Sequence, residues 1–92
     1  QKSRRESRVA VESWDGVDRG LFDRLRAYRT DQAHERGVPP YVVFSDATLR
    51  DMATRRPKDE AAMLEVSGVG PVKWERYGDD FLSEISGHQG IN

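Results

Sequence analysis

The sequence predicts an all-α domain, a compact bundle of four main helices joined by short turns, and three observations predict it. Apolar residues recur at helical spacing in stretches around residues 21–33, 49–53 and 74–85. Residues suited to a helix start, Asp18, Ser45, Asp59 and Pro71, stand at the heads of the expected helices. The one run with strand propensity, Pro39-Pro40-Tyr41-Val42-Val43-Phe44, has no second convincing strand to pair with and reads as an extended or single-turn connector.

The first helix begins at Asp18, with Val17 and Phe22 at the positions of a hydrophobic staple. Leu21, Phe22, Leu25, Tyr28 and Ala33 form its apolar stripe, while Arg24, Arg26 and Arg29 alternate with Asp23 and Asp31 on the expected outer face. Gly37 and Pro39-Pro40 stop it. The second helix starts at Ser45 or Asp46, turns Leu49, Met52 and Ala53 inward, and ends at Arg55-Arg56-Pro57; Phe44 is placed to staple onto Leu49. A short third helix starts near Asp59 and buries Ala62 and Met63 or Leu64. Leu64 through Gly70 form a tight turn, and Pro71 opens a final helix with Trp74, Tyr77, Phe81 and Ile85 on one stripe and Leu82 beside it. Trp74, Phe81, Leu25 and Leu49 are expected to be buried together, and residues from Gly87 onward to form a frayed tail.

Ninety-two residues suffice for one core and not for two. The expected division is an N-terminal arm over 1–14, a helical domain over 15–87 and a tail over 88–92. The arm is polar, and Lys2, Arg4, Arg5 and Arg8 make it basic, which suits either a phosphate-binding arm or a tether to a longer polypeptide. Cysteine is absent, so disulfides and thiolate metal sites are excluded. With no apolar run near the roughly 20 residues of a membrane helix and no secretory signal, a cytoplasmic domain without membrane contact is expected, monomeric in isolation.

The net charge of −1 conceals a segregation. Residues 1–58 carry 13 Lys/Arg against 9 Asp/Glu, whereas residues 59–92 carry 2 against 7. This asymmetry suits one basic and one acidic surface facing different partners; chance segregation on solvated helix faces gives the same count.

Catalytic patterns are missing. His34 and His88 form neither an HxxxH nor an HExxH arrangement, no serine has a histidine at nucleophile spacing, and no phosphate-binding loop or dinucleotide fingerprint occurs. Asp79, Asp80 and Glu84 are a solvated acidic face rather than a metal site, because adjacent helix residues point about 100° apart. No catalytic residue, metal or cofactor is expected. Two features do suit nucleic acid. Val66-Ser67-Gly68-Val69-Gly70 is a hydrophobic-Gly-hydrophobic-Gly turn that can present backbone amides to a phosphate, with Lys73 and Arg76 following, although the same turn also serves close helix packing. Tyr41, after a rigid Pro-Pro pair, is placed either to stack an unpaired base beside Arg55, Arg56 and Lys58 or to pack its ring on the core.

Leu21-Phe22, Leu25-Arg26, Tyr28-Arg29, the run Val38-Pro39-Pro40-Tyr41-Val42-Val43-Phe44-Ser45-Asp46-Ala47-Thr48-Leu49, Pro57, Met63-Leu64, Gly68-Val69-Gly70, Lys73 and Tyr77-Gly78 resemble the HRDC domain, the helicase and RNase D C-terminal module. The resemblance covers about residues 15–86 and is to the form found in bacterial RecQ-type DNA helicases. It implies a non-catalytic helical bundle, linked to a helicase core that carries the ATPase, which contacts single-stranded or branched DNA and tunes substrate choice in repair and recombination. The family's surface aromatic falls on Tyr41, and its basic residues fall loosely on Arg55, Arg56, Lys58 and Lys73. This chain is less basic than DNA-binding members, which implies weak stand-alone affinity. A different class of function stands beside this one: docking through Asp79, Asp80 and Glu84 onto the helicase core or a sibling domain of the same chain. The same fold on an RNase D-type exonuclease would meet RNA.

Overall fold

Helix starts fall where the capping residues stand. A computed structural model describes residues 14–89; the arm through residue 13, with its four cations, and residues 90–92 lie outside the described residues. The Asp18 carboxylate accepts the Leu21 amide at 3.0 Å and opens α1, Arg19–Arg36. Gly37 closes α1 in the left-handed region, its amide returned to the last carbonyls. Ser45 Oγ accepts the Thr48 amide and opens α3, Asp46–Arg55, and the Asp59 carboxylate does the same for α4, Glu60–Leu64. Between α1 and α3 lies α2, Pro40–Val43, a single turn. Pro71 opens a continuous rod made of α5 (Pro71–Lys73), a π-turn (Trp74–Gly78) and α6 (Asp79–Gln89). The described residues thus hold four main helices and one short turn, with no strand.

α1 is the spine. α3 runs back along it: Asp46 at the start of α3 pairs with Arg29, and Ala53 near its end accepts the Asp18 amide at 3.2 Å. The last rod also runs antiparallel to α1. Arg36 lies over Tyr77, Tyr28 meets Phe81, Arg24 bonds Glu84, and Asp18 faces His88. These four contacts mark the register of the two helices from one end to the other.

The core between them contains Leu21, Leu25, Leu49, Met52, Met63, Phe81 and Ile85, all fully buried, with Phe44 at the centre of an aromatic group. Phe44 meets Phe81 edge-on at 4.9 Å and Tyr77 at 5.8 Å. Leu25, Leu49 and Phe81 are buried together as expected, but Trp74 is only half-buried. The π-turn accounts for this, because its wider turn breaks the 3.6-residue phase assumed for the stripe. The Trp74 ring lies against Gly78, where any Cβ would overlap it.

Two other expectations change. The final helix continues to Gln89, so Gly87 and His88 are helical rather than frayed, and the His88 ring reaches the α1 start, 3.4 Å from the Asp18 carboxylate. Trp14, placed with the arm by the sequence, packs edge-on against Phe22 at 5.0 Å. Of the third helix's three candidates, Met63 is the one buried.

Leu25→Ala tests the packing. Leu25 has no exposed surface, so the change should destabilise by about 2–5 kcal/mol, measured by urea unfolding. A near-neutral result would contradict this packing.

Candidate nucleic-acid interface

A single helical turn is a poor structure on its own. Nucleation is costly, and the last carbonyls lack partners within the helix. In α2 the Val42 amide donates to the Pro39 carbonyl at 3.0 Å, and the C-terminal end closes on a long 3.4 Å bond from the Phe44 amide to the Pro40 carbonyl. Two cations from distant elements complete it. Lys73 Nζ donates to the Val42 carbonyl at 2.7 Å and the Val43 carbonyl at 2.8 Å, and it lies 5.5 Å from the Phe44 ring centre. Arg29 Nη1 donates to the Phe44 carbonyl at 2.9 Å and pairs with Asp46 at 2.8 Å. Burial, and then the neighbouring Arg76 charge, lowers the Lys73 pKa from its ordinary value.

This arrangement corrects the expected place of Arg29. It is 7% exposed, not on the outer face. Its position between Leu25 and Ala33 lies on the buried side, and the carbonyl of Phe44 gives the guanidinium a partner there. Its Nε is buried without a hydrogen-bond partner.

Held in this way, α2 divides its residues between core and solvent. Val43 and Phe44 point inward, and Tyr41 stands 70% exposed. Of the two placements open to Tyr41, the structure takes the outward one. At the same end of the bundle lie Arg76, exposed beside Lys73, and Arg36, whose guanidinium stacks on the Tyr77 ring at 4.8 Å. Arg36 carries no motif in the sequence; its one signal there is position, in the last turn of α1 before the Pro-Pro connector.

Arg55, Arg56 and Lys58 are exposed but are not Tyr41's neighbours. Because α3 runs back along α1, its end returns to the start of α1, where Arg56 Nη1 lies 4.0 Å from Asp18. α2 packs near the other end of α1, whose 18 residues span about 27 Å at 1.5 Å per residue. Arg55 is bonded to Asp51 at 2.9 Å. The same carboxylate accepts the Ser67 amide at 2.9 Å, so the glycine turn is tied to α3 at this point. Gly68, at φ 91°, leaves no room for a Cβ against Thr48. Close packing is therefore built into the turn.

The acidic residues of the last helix also part. Glu84 bonds Arg24 at 2.9 Å, on the α1 side. Asp80 acts toward that side as well: the Tyr28 hydroxyl is raised above its ordinary pKa by burial first, then by the charges of Asp80 and Glu84. Asp79 lies instead on a groove facing α4. Among the described residues, no group of three or more His, Asp or Glu is placed to hold a metal, and no helix is long and apolar enough to cross a membrane.

Fold and site define a small all-α domain, built on one long helix, that presents an aromatic at one end. The chain belongs to the HRDC domain family, which it matches over residues 18–85. It is 45% identical over 74 residues to the ATP-dependent DNA helicase RecQ of Haemophilus influenzae, covering 80% of this chain and 12% of that one. Against the Bacillus subtilis RecQ it is 47% identical over 68 residues, covering 74% of this chain and again 12% of the relative. The ATP-dependent DNA helicase UvrD2 of Mycobacterium bovis is 42% identical over 71 residues, 77% of this chain and 10% of that protein. Among solved structures, HRDC domain 3 of the D. radiodurans RecQ superposes with a TM-score of 0.72 at 36% identity, covering 75% of this chain and 91% of that domain. The chain thus spans about an eighth of the length of the RecQ relatives it matches.

Arg29→Ala should destabilise by about 1–3 kcal/mol, because it strips the donor from a buried carbonyl. Arg29→Met should cost less, since it keeps the packing of the stem. Arg26→Ala, on the exposed face, should stay within about 0.5 kcal/mol. Chemical denaturation of the three variants checks the order; equal effects for Arg29 and Arg26 would contradict the buried role.

Proposed function

We propose that this domain is an accessory, non-catalytic module of an ATP-dependent DNA helicase of RecQ type, binding unpaired DNA weakly and tuning the substrate choice and unwinding of the enzyme that carries it. The supporting observation is Tyr41, an aromatic ring 70% exposed on a turn that two internal cations hold in place. An exposed ring of this kind stacks a base irrespective of its identity, while cations hold the strand's phosphates. Arg76 and Arg36 supply charge at the Tyr41 end, and Arg55, Arg56 and Lys58 form a separate basic cluster toward the start of α1. Lys73 serves this site from beneath, since its ammonium is directed to the Val42 and Val43 carbonyls. The relatives named as DNA helicases support DNA as the ligand.

Few cations take part, so affinity should be low and should fall as salt rises. Tyr41→Ala should weaken binding to oligothymidylate by roughly 5- to 150-fold, the range for loss of one stacked base, without lowering thermal stability. Fluorescence anisotropy at two salt concentrations measures it. Unchanged affinity in this variant would sink the stacking site.

A further inference from the structure

The last rod has a second face, turned away from Tyr41. Pro71, Val72, Trp74, Glu75 and Asp79 face Glu60 and Leu64 of α4 across an open groove of about 560 Å³. Its apolar residues are unusually open for this protein: Val72 is 63% exposed and Leu64 38%. Trp74 adds one side of its half-buried ring, kept there by Gly78. Three carboxylates, Glu60, Glu75 and Asp79, line the groove with no Lys or Arg among its lining residues. No ion pair among the described residues engages any of the three.

We infer that this groove is a docking site for a basic peptide segment that inserts an aliphatic side chain between Leu64, Val72 and Trp74 and sets Lys or Arg against Glu60, Glu75 and Asp79. The charge selects the class of partner. Uncompensated carboxylates around an apolar floor repel a phosphodiester backbone and favour a cationic chain. The apolar floor requires more than charge, because an arginine-rich segment without an apolar side chain would leave Val72 and Leu64 in water. The spacing of Val72, Glu75 and Asp79 puts an apolar and two acidic residues along one side of the rod, while Lys73 reaches the other way to α2. One short rod thus separates a cationic side toward Tyr41 from an anionic, apolar side toward α4. The inference does not depend on DNA binding at Tyr41, since no residue is shared between the two sites.

The test uses the 92-residue chain and three labelled synthetic peptides: one with a leucine between pairs of arginines, one with serine in place of leucine, and one with glutamates in place of the arginines. The first should bind, and the serine version should bind on the order of tenfold more weakly, as loss of one buried aliphatic side chain implies. The glutamate version should not bind. In the protein, Val72→Asp, and Glu75→Lys combined with Asp79→Lys, should each weaken the first peptide on the order of tenfold, with thermal melting confirming the fold. Both variants should keep oligothymidylate binding, and Tyr41→Ala should keep peptide binding, so failure at one site is distinguishable from failure at the other. Equal binding of leucine and serine peptides, no response to the surface variants, or displacement of the peptide by oligothymidylate would overturn the proposal.

Discussion

The bond pair from Lys73 Nζ to the carbonyls of Val42 and Val43 is the constraint on which the Tyr41 end of the molecule depends. A four-residue helix cannot hold its own C-terminus. Without an internal donor, those carbonyls would turn toward water and take the segment with them. Lys73 of α5 satisfies these two, and Arg29 of α1 satisfies the next, that of Phe44. The strain-free consequence is that Val43 and Phe44 enter the core while Tyr41 faces out. The same two bonds tie α5, the start of the final rod, to α2.

Much of this fold could be read from the sequence because its determinants are local. Asp18, Ser45 and Asp59 cap amides three residues away, and Gly37 and Pro71 act through their own backbone preferences. What escaped was long-range. Arg29 reads as one more surface arginine until Phe44, 15 residues on, supplies a buried acceptor. Lys73 reads as a phosphate contact until α2, about 30 residues earlier, is brought beside it. Tyr41 could be singled out by its Pro-Pro neighbour, but its companions could not: grouping it with Arg55 and Arg56 assumed proximity in space that the antiparallel run of α3 removes. The π-turn left no periodic trace, because one wide turn shifts the phase without changing residue types.

The charge asymmetry of the chain acquires a physical form in the last rod. Lys73 and Arg76 serve the Tyr41 end, Glu84 closes onto Arg24, and Glu75 and Asp79 join Glu60 across the groove. A negative net charge therefore does not spread evenly over the surface. It leaves the Tyr41 end with Arg36 and Arg76, which suits weak, salt-sensitive contact with a strand, and it concentrates unpaired carboxylates where the surface is also apolar.

A double-mutant cycle between Lys73 and Tyr41, read by oligothymidylate affinity, tests the central claim most directly. If Lys73 acts by holding the turn that presents Tyr41, Lys73→Met should lose affinity several-fold in the parent chain and almost nothing when Tyr41→Ala is already present. The same proportional loss in both backgrounds would mean that Lys73 meets the phosphate itself, and the account of α2 as a braced platform would be wrong.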